Sequence, residues 1–362
     1  MSQLGLGMVH DDPGTGRRRR TGRGAGAVLV ALLALVVVAA AVALALRSAS
    51  GGSVDDYTGD GTGTVSVVVA KGDTVRQIGR TLAAAGVVAT EQAFVDAAAN
   101  DPRSQSIVPG TYQMRSQMSG AAAVALMLDP ASRQVVKIAV PEGWRVDRIV
   151  AQVVQTTGLS VDEVKGALSR AGTLGLPAYA EGDPEGFLFP ATYEFQPGVG
   201  ADEVVTAMLQ RFDQAAQQAG LEAGARRLGL TPLQVVTVAS ILQIEGDTSD
   251  YPKVARVIYN RLAQGMPLQM DSTVNYALGT NNLKLSASDL KTDSPYNTYL
   301  NTGLPPGPIS APGDDALHAA LHPAKGSWLY FVATDPANHV TEFATTYDQF
   351  LALKRKYQAN AG

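Results

Sequence analysis

Apolar residues along this chain follow three spacings, and each predicts a different kind of element. From Gly24 to Leu46 they run without a single charge, rich in Ala, Val and Leu. About 20 such residues suffice for a helix to cross a bilayer. Between Leu233 and Ile244 they occupy nearly every face of a helix, as Leu233, Val235, Val236, Val238, Ile241, Leu242 and Ile244, which is the pattern of a buried helix. Its ends are marked: Thr231-Pro232-Leu233-Gln234 combines an N-cap Thr, Pro at the first helical position and a Gln reaching back from N3, and Gly246 supplies the stop. The third spacing is amphipathic. After Asp250 and Pro252, the residues Val254, Val257, Ile258 and Leu262 share one face as far as Gly265.

The same reading covers the rest of the chain. Residues 47–64 are rich in Gly, Ser, Thr and Asp and read as a flexible linker. Val65 to Ala70 is β-branched and strand-like, Gly72-Asp73 is a turn, and Asp73 or Thr74 caps a helix from Val75 to Ala85. A second helix over Glu91 to Ala99 and a strand after Pro109-Gly110-Thr111-Tyr112 complete a small unit, residues 65–129. A larger domain, residues 134–362, starts with a strand over Gln134 to Val140, the turn Pro141-Glu142-Gly143-Trp144 and a helix over Val146 to Thr157. Ser160 to Glu163 is a capping box opening the next helix. The aromatic-dense run from Glu185 to Tyr193 reads as a core strand or part of a sugar-binding wall, with the core preferred. Ala201 to Leu228 is one long Ala-rich helix or two in sequence. A Gly/Pro-rich stretch follows Asn297, then a strand pair over Trp328 to Ala333 and His339 to Phe343, and a basic helix at Lys354 to Tyr357. Helices and strands mix without a strict βαβ rhythm, so the expected fold class is α+β.

Charge adds a compartment. Arg17, Arg18, Arg19, Arg20 and Arg23 lie in a basic tail, residues 1–23, just before the apolar run at 24–46. Such a cluster stays cytoplasmic, which places everything after Arg47 outside the cytoplasm. The run is too long for an ordinary signal-peptide core, which favours an uncleaved single-pass anchor over a cleaved leader. The chain has no cysteine, so disulfides and thiolate chemistry are excluded, and with 46% hydrophobic residues over 362 positions a core can hold it together. A net charge of −4 that includes the basic tail leaves no nucleic-acid-binding surface outside that tail. His318 and His322 have a metal-compatible spacing, but no glutamate accompanies them and Pro323 follows, so packing is the preferred role and no metal is expected.

One charge stands out against this pattern: Glu245, in the last turn of the apolar helix. Apolar neighbours on its face (Val238, Ile241 and Leu242) disfavour the ionised form, as does the partial negative charge of a helix C-terminus. Both raise the pKa, and a carboxyl still protonated near neutral pH is what a general acid requires. The competing reading is a solvated helix-end residue, which position alone does not exclude.

Gly72-Asp73-Thr74-Val75-Arg76-Gln77-Ile78 resembles the start of a LysM-type glycan-binding module. A longer set of motifs resembles the YceG-like family of endolytic murein transglycosylases. These are P-E-G-W at 141–144, E-G-F-L-F-P-A-T-Y at 185–193, A-S-I-L-Q-I-E at 239–245, N-R-L at 260–262 and L-Q-M-D-S-T-V at 268–274. Y-N-T-Y at 296–299, G-L-P-P-G-P-I at 303–309 and H-P-A-K at 322–325 complete it. The resemblance implies a cut between N-acetylmuramic acid and N-acetylglucosamine within peptidoglycan strands, leaving 1,6-anhydro ends, without metal or cofactor. It implies Glu245 as the catalytic acid. Many members carry a second glutamate two residues earlier, where this chain has Gln243, and an Asp where it has Ala191. Gln269, Asp271, Ser272, Thr273, Tyr276, Asn297 and Tyr299 are polar loop positions expected to line the glycan groove. The implied partners are glycan strands, the membrane and the cell-wall synthesis machinery. The alternative is a non-catalytic wall-binding scaffold, for which a desolvated acid at position 245 has no use.

Overall fold

The computed structural model of the protein describes residues 55–282 and 284–360. The expected membrane span, Gly24 to Leu46, lies outside the described residues. Among those described, no single helix is long and apolar enough to cross a bilayer.

In chain order the elements are β1 (Asp60–Val69), α1 (Val75–Ala84), α2 (Glu91–Asn100), β2 (Gly110–Met118), α3 (Gly120–Leu128), β3 (Arg133–Gln134) and β4 (Val136–Val140). Then come α4 (Val146–Thr157), α5 (Val161–Ser169), α6 (Ala171–Leu174), β5 (Ala191–Phe195), α7 (Ala201–Ala219), α8 (Leu221–Leu228) and α9 (Pro232–Glu245). The last are α10 (Tyr251–Ala263), α11 (Asp271–Leu278), α12 (Asp314–Leu321), β6 (Tyr330–Asp335), β7 (Val340–Ala344) and α13 (Tyr347–Asn360). Among the described residues the fold is mixed α+β with three small sheets, ordered β1-β2-β3, β4-β5 and β6-β7.

The described residues form two compact units. One comprises residues 55–65, 74–105 and 115–125; the other comprises 66–73, 106–114 and 126–360. In the first, α1 and α2 bury Ile78, Leu82, Phe94 and Ala98. Thr74 and Gln77 close a reciprocal capping box at the start of α1, as the sequence pattern requires. β1 begins at Asp60 rather than at Val65, so the end of the expected linker is strand. Gly61 permits this: a Cβ there would lie 2.4 Å from the Ser116 carbonyl oxygen, and only a residue without one lets the backbones approach so closely.

In the larger unit, β4 and β5 pair antiparallel with Ile138 opposite Tyr193. The core runs from Ile138 through Phe187, Leu188, Phe189, Met208, Phe212 and the middle of α9 to Leu321. Of the aromatic-dense run, only Ala191–Phe195 is strand, and Phe187 to Phe189 are buried in an irregular segment of the core. The Ala-rich region is two helices, broken at Gly220, whose φ of 64° is left-handed and ends α7 as glycine readily can. α9 opens with the expected box, Thr231 Oγ1 accepting from the Gln234 N–H at 3.2 Å. Its residues Val235 to Leu242 are wholly inside. His318 and His322 stack with ring centroids 4.4 Å apart.

Candidate active site

α9 is buried for most of its length and then breaks surface in its last turn. Ile244 is 47% exposed, a departure from the all-buried pattern, and Glu245 is half-buried beside it. Two contacts fix this emergence. Ser240 holds the Gly/Pro-rich segment against the helix, its hydroxyl accepting from the Ile309 N–H at 3.0 Å and its carbonyl accepting from the Ser310 hydroxyl at 3.1 Å. Gln243 spans three neighbours: its amide donates to Glu142 Oε2 at 3.0 Å and to the Tyr251 hydroxyl at 3.1 Å, and its carbonyl accepts from the Gly313 N–H at 2.9 Å. Gln243 therefore ties the end of α9 to three separate segments. The Pro141–Trp144 turn is pinned to the same place, Gly143 donating to the Ala311 carbonyl at 2.8 Å and Ala311 donating to that of Trp144 at 2.8 Å.

Glu245 and Ile244 open into a cleft of about 560 Å³. Its lining includes Trp144, Arg145, Arg148, Asp271, Ser272, Asn275, Asn281 and Asn282. Burial pushes the Glu245 carboxyl above the ordinary carboxylate range; contacts from Ser272 pull it back down, and the Asp271 charge adds to the rise. The Ser272 contact includes its backbone N–H, which donates to Glu245 Oε1 at 3.2 Å from the first turn of α11. Asp271 is itself held by the Tyr299 hydroxyl, which donates to Oδ1 at 2.5 Å. On the facing wall the Arg148 guanidinium lies 4.1 Å from the Trp144 ring centroid. A carboxyl whose charged form is disfavoured, at the edge of an open polar groove, can donate a proton to a bound ether oxygen and take one back.

The structure sorts the expected groove residues. Asp271 and Ser272 line the cleft with Glu245, and Tyr299 reaches it through Asp271. Both cleft residues belong to a helix rather than a loop. Thr273 is fully buried, sharing a hydrogen bond with the Thr298 hydroxyl at 2.8 Å. Asn297 is fully buried too, donating to the Leu290 and Thr292 carbonyls and accepting from the Tyr299 N–H. Tyr276 donates to Glu185 at 3.4 Å, and Gln269, left-handed at φ 54°, accepts from Arg261 at 3.3 Å. These four stand outside the cleft lining. The residues missed are Arg145, Arg148, Asn275, Asn281 and Asn282. Arg145 and Arg148 directly follow the Pro-Glu-Gly-Trp turn, but nothing in the sequence ties that turn to the end of α9.

Fold and site together define an α+β protein that presents an acid, Glu245, at the end of a core helix into a polar, sugar-sized cleft. Residues 67–356 match the model of the YceG-like family, and the chain belongs to that family. It is 31% identical over 314 residues to a protein of Bacillus subtilis (strain 168) named endolytic murein transglycosylase, a match covering 82% of this chain and 86% of the relative. A protein of the same name from Streptococcus pneumoniae serotype 2 (strain D39 / NCTC 7466) is 30% identical over 300 residues, 74% of this chain and 54% of the longer streptococcal protein. The crystal structure of a yceG-like protein from Listeria monocytogenes superposes with a TM-score of 0.57 at 29% identity, covering 80% of this chain and 98% of the other.

Proposed function

We propose that this protein is a membrane-anchored lytic transglycosylase that cuts peptidoglycan strands internally, with Glu245 as its acid and then its base. The observation that carries this reading is the placement of Glu245 at the end of α9, facing a cleft of about 560 Å³ where burial disfavours its charged form. The relatives named endolytic murein transglycosylase support the substrate class.

In the proposed reaction, neutral Glu245 protonates the oxygen linking N-acetylmuramic acid to N-acetylglucosamine, and the bond from that oxygen to the muramic anomeric carbon breaks. The carboxylate so formed removes the proton of the muramic C6 hydroxyl, whose oxygen bonds to the anomeric carbon. A 1,6-anhydro end results, no water is consumed, and Glu245 is neutral again. One carboxyl serves both steps, unlike the paired carboxylates of ordinary glycosidases. The Ser272 N–H at 3.2 Å stabilises the intermediate carboxylate.

The basic tail and the apolar run at 24–46 support an N-terminus in the cytoplasm, a single span and a catalytic portion outside. Residues 65–129 would add a LysM-like glycan contact, and the cell-wall synthesis machinery would be the neighbour in the membrane. The test is to incubate the full chain, purified in detergent, with isolated glycan strands and weigh the products. Internal fragments ending in anhydro-muramic acid are expected. Reducing muramic acid ends would mean hydrolysis instead, and binding without any cleavage would mean a scaffold.

A further inference from the structure

Glu185 is a buried acid that the proposed chemistry leaves unused. It is 5% exposed, and burial raises its carboxyl to about 7. Its Oε2 accepts from the Val146 N–H at 3.2 Å and from the Tyr276 hydroxyl at 3.4 Å, while its Oε1 has no hydrogen-bond partner. Val146 is the first residue of α4, and the N-cap position before it is Arg145, which makes no side-chain cap. The helix start therefore takes its acceptor from a segment about forty residues away, and a carboxylate suits the positive end of a helix dipole.

That substitution leaves the Arg145 side chain to the cleft. Its guanidinium lies 5.2 Å from the Tyr276 ring centroid. Its hydrogen bonds go to the Asn275 carbonyl at 3.4 Å, the Thr280 carbonyl at 2.9 Å and Asn281 Oδ1 at 3.2 Å. All three acceptors are neutral, so the charge is held in place by the α11 region without a contact carboxylate. Glu185 thus touches both supports of Arg145: the backbone that carries it and the tyrosine that lies beneath it.

We propose that Glu185 is a positioning residue that fixes Arg145 as the cleft's contact for a carboxylate of the substrate. This rests on the glycan-cleaving reading and narrows it: the preferred strand carries carboxylates, on its peptide stems or lactyl groups, and an uncharged aminosugar chain is the poor ligand. A guanidinium with its orientation already set loses little freedom when it engages a carboxylate.

The test is binding to the full chain in detergent, measured by calorimetry in the inactive Glu245→Gln background, with two probes: peptidoglycan strands and an uncharged chito-oligosaccharide. Losing one charge-assisted contact costs roughly tenfold in affinity. Arg145→Gln and Glu185→Ala should each weaken peptidoglycan strands by about that factor and chito-oligosaccharide by less than about twofold. The double variant should be no weaker than the weaker single, because both changes remove the same contact. Glu185→Gln, whose amide oxygen still accepts from Val146, should stay within about threefold of the parent, a rescue that general loss of packing would not give. If Glu185→Ala does not fold, Glu185→Asp, too short to reach Val146, replaces it. Equal losses on both probes, additive losses in the double variant, or unchanged binding by a folded Glu185→Ala protein would each overturn the proposal. If the parent cleaves strands while these variants bind normally, only this inference fails; if the parent neither binds nor cleaves, the proposed function fails with it.

Discussion

Glu185→Gln also makes a stability prediction whose size comes from the structure. The carboxyl stands at about 7 in the folded protein against 4.5 in an exposed chain, chiefly because burial penalises its charge, with the Val146 N–H opposing. Between those values the folded state holds a proton that the unfolded state has released, so stability falls as pH rises from about 4.5 to about 7. At about 1.4 kcal/mol per pH unit the gap sets a ceiling of roughly 3.5 kcal/mol. Gln does not titrate. The stability of the parent minus that of Glu185→Gln should therefore drop by on the order of 2–3 kcal/mol between pH 4.5 and 8 and level off above that. Urea unfolding of both proteins in matched buffers across that range measures the difference. Subtraction removes the contribution of Glu245, which has the same sign, and those of Glu163 and Glu194, whose lowered values act at more acid pH. A difference that stays flat, or grows with pH, would refute the burial argument for Glu185.

Asn297→Ala strips two buried carbonyls of their donor and the Tyr299 N–H of its acceptor, so it should cost about 2–4 kcal/mol in urea unfolding. Catalysis by the protein that remains folded should survive, because Asn297 lies outside the cleft. Cleavage that needs neutral Glu245 should decline as pH rises through its raised value, and a rate that climbs steadily from pH 5 to 9 would contradict an acid in that role. Thr231→Ala removes the α9 cap and should cost about 1 kcal/mol with little change in rate per folded molecule.

The parts of the fold legible in the sequence were those written in local pattern. α9 has its cap, its proline and its apolar faces in one run; the cap and proline appear where the pattern puts them, and Val235 to Leu242 are buried as the spacing requires. The capping boxes at Thr74 and Ser160 are local in the same way. Glu245 stood out as a candidate for a related reason: a lone carboxyl closing an apolar helix is conspicuous before any contact is known. The cleft walls were not legible, because their members come from distant segments. Arg145 meets the 275–281 region across more than a hundred positions, and no spacing rule announces that meeting. Thr273 and Asn297 misled in the opposite direction. Their polarity suggested a groove, whereas each satisfies buried backbone or hydroxyl groups around Thr298 and Leu290. Ile244 belonged by pattern to the buried set, and it is exposed because the cleft opens where α9 ends.

The central claim is that Glu245 alone donates and retrieves the proton. Gln has nearly the same shape and hydrogen-bonding reach, so Glu245→Gln should fold like the parent, with thermal melting as the check. Loss of the proton donor should lower the rate of glycan cleavage by roughly a hundredfold or more. The control is Glu203→Gln, in the exposed first turn of α7, which should change little. The decisive measurement is the amount of 1,6-anhydro-muramic acid ends released from purified strands by parent, Glu245→Gln and Glu203→Gln, counted by mass spectrometry. The account predicts anhydro ends from the parent and Glu203→Gln and almost none from folded Glu245→Gln. Anhydro ends from folded Glu245→Gln at the parent's rate would contradict it.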